Sequence, residues 1–310
     1  FATAGVPIRC DGAPWTVARL WRLLRAHGTD AVLCNRLKDL KAAGIAARLA
    51  GVEVVLKSRE SDHPLRRRPH YRWYYGRVAS GVIVNSRATL RTTLDSAPWL
   101  PPARVHLLHK GIDGARFHAA PEPAGRPVVG FAGALDERKG VPLLMAAWPR
   151  VAAASRGAPP LLRLAGEGPL RTELTAWRSS LADPATVELA GWVEDMPAFH
   201  RGLTLLAVPS RYEGFGLAAA EAGACGRAVV ATRVSSLPEV VHDGETGLLV
   251  PPDDPDALAA AILKLLDDRE LRLRLGAAAA ARIRTDFERA AMLTRLEELL
   301  RPAPRREETT

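Results

Sequence analysis

Short apolar runs alternate with helix-period stretches along most of this chain. Residues 31–34 and 82–84 are apolar runs of strand length, and 52–56 is another broken only by Glu53. Before the first, 16–26 carries Val17, Leu20, Trp21 and Leu24 at helical spacing, and between the first two 40–49 is an Ala-rich helical pattern. A strand is also expected over 4–10. After residue 127 the alternation becomes regular. Predicted strands at 128–132, 161–165, 187–189, 203–208 and 228–231 are followed by predicted helices at 142–154, 170–179, 196–200, 217–224 and 237–241. Strand–helix alternation of this kind implies a parallel sheet covered on both faces. Ala/Leu-rich helices are expected over 255–268 and 268–283. An amphipathic helix follows over 286–301, then a polar tail. Between the two regions, 119–127 holds three prolines and a glycine, which continue neither element, and reads as a linker.

One segment adds chemistry to this pattern. The apolar run 203–208 leads into Pro209-Ser210-Arg211-Tyr212-Glu213-Gly214-Phe215-Gly216-Leu217, and Glu221 lies eight residues after Glu213. It reads as strand, glycine loop and helix start. In open α/β sheets, ligands bind where strands end and helices begin. Gly214 and Gly216 let the backbone approach a ligand, and the free N–H groups of a helix start suit an anion. Two carboxylates beside an anion site make sense as acceptors for sugar or ribose hydroxyls.

That segment resembles the E-x7-E signature of the GT4 family, retaining nucleotide-sugar glycosyltransferases with two Rossmann-like domains in the GT-B fold. Further stretches follow in the family's order. They are Gly130-Phe131-Ala132-Gly133 with Lys139-Gly140, Leu164-Ala165-Gly166-Glu167-Gly168-Pro169, Val187 through Val193, Leu237-Pro238-Glu239, and Gly244 through Val250. The resemblance is dense over about 127–260 and sparse before residue 120. It implies an acceptor-side domain over 1–120, a nucleotide-sugar donor domain over 121–285, and a terminal helix and tail over 286–310 that return toward the first domain. Family members open with a strand, a Gly-rich loop and a long helix, which the first residues here lack. The expectation is therefore a first domain without its front βα portion.

The resemblance also assigns roles. Lys139 corresponds to the family's phosphate lysine. The family's neighbouring arginine position holds Ala134, and Arg138 is the candidate replacement. Glu213 corresponds to the first glutamate, near the donor sugar hydroxyls, and Glu221 to the second, accepting from the ribose. Gly133 and Gly166 belong to the loops lining the donor. Gly214, Phe215, Gly216 and Leu217 are expected to offer backbone N–H groups. Trp192 and Val193 are candidates for the base pocket, with plain core packing the alternative for Trp192. Arg59, Glu60 and His63, just after the predicted strand 52–56, are candidates for acceptor contact. The implied activity is transfer from a nucleotide sugar, UDP-linked, to a glycan or lipid-linked acceptor. It would use no metal and no cofactor beyond the substrate itself. The alternative is a non-catalytic or truncated nucleotide-sugar-binding remnant of the same fold.

Charge changes the picture for the first half. The first 126 residues carry 21 Lys+Arg against 9 Asp+Glu, and the remainder 22 against 25. Within 66–77, basic and aromatic residues interleave, which suits the headgroup layer of an anionic membrane. A solvated face with core aromatics is the plainer reading, and nucleic acid the least favoured. No apolar run reaches the roughly 20 residues of a membrane helix. Cys10, Cys34 and Cys225 lack metal-ligand spacing and read as reduced thiols of a cytoplasmic protein, peripheral on the inner membrane face if it meets lipid.

Overall fold

The structure is a computed structural model and describes residues 13–154 and 159–302. The strand expected over 4–10, with Cys10, lies outside them. The chain divides into two compact units, residues 1–109 with 292–310, and 110–291.

In the first unit, strands β1 (Ala31–Cys34), β2 (Val54–Arg59), β3 (Gly81–Val84) and β4 (Val105–Leu107) form a parallel sheet in that order. Parallel neighbours in sequence order require a crossover connection between each pair. The Pro14–Ala26 helix packs Val17 and Leu20 against Ala42 and Ala46. The helix expected over 40–49 begins at Leu37 and contains a π-helical turn, Leu40–Gly44. Strand β2 runs three residues beyond the expected 52–56. Lys57, Ser58 and Arg59 complete its ladder with Val82, Ile83 and Val84 of β3, so they lie within the strand rather than after it. Part of the basic excess is structural. Arg104 donates to the carbonyls of Ser80 and Gly76 at 2.8 and 3.0 Å, and Arg48 to that of Val78 at 2.7 Å. Each closes the end of the π-helical turn Tyr74–Val78.

In the second unit, β5 (Val128–Ala132), β6 (Leu161–Ala165), β7 (Val187–Gly191), β8 (Leu205–Val208), β9 (Ala228–Thr232) and β10 (Gly247–Val250) form one parallel sheet in the order β10-β9-β8-β5-β6-β7. Buried Trp148, Leu144, Ile262 and Leu275 cover one face. Phe199, Phe215, Ala220, Leu237 and Ile283 cover the other. All residues of β8 and β9 are buried, as a doubly covered sheet requires. The strand order reverses between β5 and β8, so the loops leaving their carboxyl ends diverge and open a crevice.

The unit boundary falls at residue 109 rather than at the expected 120. The Pro-rich stretch is tied into the second unit. Arg227 donates to the carbonyls of Ala120 and Pro121 at 3.0 and 2.8 Å, and Arg272 grips Glu122 through two bonds of 2.7 and 2.9 Å. Upstream of it, Ile112 bridges to Glu288. Likewise the Arg289–Leu300 helix starts in the second unit, and from Met292 onward it belongs to the first.

Candidate functional site

At the reversal point, the loop after β5 and the loop after β8 meet. Pro209 closes β8, and its carbonyl lies where a Cβ on Gly140 would stand, 1.8 Å away. The main chain of Arg211 donates to the carbonyl of Arg138 at 2.9 Å. This contact brings Lys139 to Glu213, and the ammonium is hydrogen-bonded to Glu213 Oε1. Both side chains are largely buried, at 19% and 8% exposure. Ser210 donates to the same carboxylate oxygen at 3.2 Å, and Ser236 to the Glu213 carbonyl at 3.1 Å. Asp136 accepts from the Lys139 main-chain N–H at 2.8 Å and fixes the turn. A cation and a carboxylate 74 residues apart in sequence are thus held in one place by a backbone contact.

The helix after this loop, Leu217–Ala224, opens at Gly216, whose φ of 91° and ψ of 47° are left-handed. An L side chain there would be strained, and its Cβ would also meet Leu237 Cδ2 at 2.8 Å. Among the described residues, no side chain caps this helix start. The first N–H groups of a helix have no intrahelical acceptor, so Leu217 and its neighbours present donors and the positive end of the helix dipole. Leu217 is exposed. The Phe215 side chain does something else: it is buried edge-on against Phe287, 5.4 Å between centroids, and anchors the loop.

Glu221 stands one turn into this helix with 16% of its side chain exposed. His200, wholly buried on the Met196–Arg201 helix, places Nε2 at 3.4 Å from Glu221 Oε2. A carboxylate only accepts, so Nε2 carries the proton and donates. His200 Nδ1 has no hydrogen-bond partner among the described residues, and the ring packs near Phe117 and Phe199. Sequence reasoning missed His200 as well as Ser210 and Ser236.

The glycine loops of β5, β6 and β7 lie side by side. Gly133 donates to Ala165 O at 3.0 Å, and Gly166 to Gly191 O at 2.7 Å. A Cβ on Gly166 would stand 1.8 Å from Gly133 O. Trp192 follows β7 and is 77% exposed, which removes core packing as its role; Val193 packs against the unit's apolar cluster. Arg138 lies on the rim, 3.6 Å from Asp136 and 5.9 Å above the Tyr212 ring. Asp253 binds Arg211 at 2.9 Å, and Asp254 caps the Pro255–Asp267 helix. Among the described residues, no three His, Cys, Asp or Glu side chains gather as metal ligands would.

In the first unit, Arg59 is buried and donates to Thr93 Oγ1 at 2.8 Å and to the His63 carbonyl. Glu60 accepts from Ser58 Oγ at 3.3 Å, and His63 is exposed. Cys34 and Cys225 are buried free thiols, pushed up to about 12 and about 11 by burial. No described helix is long and apolar enough to cross a membrane.

Comparison with known proteins agrees with this architecture. A family model described as Glycosyl transferases group 1 matches residues 126–268, and one described as Glycosyltransferase Family 4 matches residues 4–116. A GDP-mannose-dependent alpha-(1-6)-phosphatidylinositol monomannoside mannosyltransferase of Mycolicibacterium smegmatis is 31% identical, over 93% of this chain and 80% of the relative. The alpha-maltose-1-phosphate synthase of that species is 33% identical over 72% of this chain, which spans 63% of that protein's length. Among solved structures, the Anabaena protein HepE in complex with UDP-glucose superposes with a TM-score of 0.79 at 22% identity, covering 93% of this chain and 84% of HepE. A sucrose-phosphate synthase from Thermosynechococcus elongatus gives 0.74 at 26% identity, covering 92% and 76%. With two parallel-sheet α/β units and these matches, the chain belongs to the group 1, family 4 glycosyltransferases of the GT-B fold.

Proposed function

We propose that the chain is a retaining, metal-independent glycosyltransferase that moves a hexose-type sugar from a UDP-sugar to a glycan or lipid-linked acceptor in envelope glycan synthesis. The observation that carries this reading is the meeting of Lys139 and Glu213 at the strand-order reversal, beside an uncapped helix start. As the donor's glycosidic bond breaks, negative charge grows on the leaving diphosphate. Lys139, the main-chain N–H groups from Gly214 to Leu217 and the helix dipole supply fixed positive charge for it, with Arg138 able to swing in from the rim. Glu213 accepts from the sugar hydroxyls. Glu221, steadied by His200, accepts from the ribose, and Trp192 and Val193 flank the base. No side chain is assigned as general base; the departing phosphate oxygen takes the acceptor proton on the face where the new bond forms.

Peripheral attachment at the inner membrane face is supported by the first unit's exposed Arg66, Arg67, Arg68 and half-exposed Trp73. A GDP-mannose donor is the second reading, favoured by the 31% identical relative. The deciding experiment is a panel of UDP-glucose, UDP-galactose, UDP-N-acetylglucosamine and GDP-mannose. Binding and nucleoside diphosphate release are read with and without EDTA. Binding of a UDP-sugar with turnover unaffected by EDTA is expected. GDP-mannose alone would select the second reading, loss with EDTA would overturn metal independence, and no binding at all would sink the assignment.

A further inference from the structure

The first unit contains a cavity of about 380 Å³ at the carboxyl ends of β1 and β2, bordered by Asn35, Arg36, Lys57, Glu60, His63 and Arg66 among others. Lys57 is its unusual wall. The residue is 96% removed from solvent, yet among the described residues its ammonium bonds only neutral groups: the Asn35 carbonyl at 2.9 Å and the Ser58 carbonyl. An ammonium has three donors, and among the described residues these two carbonyls leave one over. The charged and titratable groups around it are the Cys34 thiol, Asp39, Glu60 and Arg59, none of them bonded to Nζ. Burying a cation without a bonded carboxylate disfavours the folded state, so a protein gains by such an arrangement chiefly where the charge meets a ligand. At the mouth, Arg36 and Arg66 are exposed and add charge of the same sign.

We propose that this cavity binds the oxyanion of a phosphate-type group on the acceptor, held by the Lys57 ammonium with Arg36, His63 and Arg66 closing around it. The proposal deepens the glycosyltransferase reading and rests on it for the word acceptor; the anion site itself does not. Lys57 is pushed down to about 8 by burial, so an incoming oxyanion would hold it protonated and be held in turn. Affinity is then full below pH 8 and lost above it.

The test is calorimetric titration of the full chain with sulfate, a dianion across the whole range, at constant ionic strength and with UDP saturating the donor site. One sulfate per chain is expected, weakening about tenfold between pH 7 and pH 9. Lys57→Met should weaken it at least about tenfold and abolish the pH dependence, and the exposed rim change Arg66→Ser about threefold. Competition then separates sources. Displacement by glucose 6-phosphate but not glucose indicates a soluble sugar phosphate, and displacement by dihexanoyl phosphatidylinositol a lipid headgroup. No sulfate binding, or binding indifferent to both substitutions in folded protein, overturns the proposal. Displacement by neither competitor leaves an adventitious ion only, and also overturns it. Failure of UDP to bind would count against the donor reading alone, because the sulfate response is read from variants of the first unit.

Discussion

Lys139 and Glu213 each do two things, and the two can be separated. Together they bury a compensated charge pair; apart, each leaves a partner in low dielectric. Lys139→Met should therefore lower unfolding stability by about 2–4 kcal/mol. The double change Lys139→Met/Glu213→Gln should recover most of that stability yet bind UDP at least about tenfold more weakly than the parent. Urea denaturation and UDP titration on the same samples give both quantities. A double variant that bound UDP like the parent would remove Lys139 from the donor site. Lys57 makes a pH-dependent case. Its ordinary value of 10.5 falls to about 8 in the folded state. Between those values the unfolded chain binds the proton more tightly, so stability rises with pH across that window, and the cost at neutral pH is about 3 kcal/mol. Cys34 and Cys225, raised from 9.0, act oppositely: the folded chain keeps their protons, and stability falls as pH climbs past 9. The Lys57 gain therefore stands alone only between about pH 8 and 9. The parent's urea midpoint should rise there while that of Lys57→Met stays flat; parallel curves would show that Lys57 is not desolvated.

At the scale of elements, the glycine loops of the second unit act as spacers that set backbone against backbone. Gly166→Ala would drive a methyl into the Gly133 carbonyl at a φ of 136°, so the loops after β5 and β6 must part. A loss of more than about 2 kcal/mol and of nucleotide binding is expected, readable by thermal unfolding with and without UDP. A variant as stable as the parent would mean that these loops tolerate displacement. Much of this layout was legible in the sequence, because β8, its glycine turn and the following helix form one continuous segment with Glu213 and Glu221 inside it. What escaped depended on contacts distant in sequence. His200 looks like one polar residue in an apolar helix until the fold sets it under Glu221, 21 residues on. Lys57 fell just past the expected strand because the pattern stops at Leu56; pairing with β3 carries the strand on to Arg59. The glycine and prolines of 119–127 signalled a break in regular structure and could not show that Arg227 and Arg272 fasten it to the second unit.

Across the whole molecule, the two halves differ in how their charge is used. The first unit's surplus of arginine serves carbonyl capping at Arg48 and Arg104, leaving Arg66, Arg67 and Arg68 to solvent. The second unit spends its charges largely in pairs, such as Arg272 with Glu122 and Arg163 with Glu188 at 2.8 Å. Salt should therefore affect any anionic-surface binding far more than donor binding, since exposed charges are screened over about 10 Å at 0.1 M.

The boundaries at residues 109 and 291 also have a consequence for biogenesis. The second unit is one uninterrupted stretch, whereas the first is completed by a segment beginning at Met292. On a ribosome, the early half must wait for a segment made only after the whole second unit, while the later half can settle as soon as it emerges. A fragment of residues 110–291 should accordingly fold cooperatively and keep its nucleotide affinity, whereas 1–109 expressed alone should show a broad, weak transition. Sharp unfolding of the short amino-terminal piece would mean that the returning helix adds little. The protein is thus arranged as a host with a self-sufficient guest, and the order of synthesis runs opposite to the order in which the two reach completion.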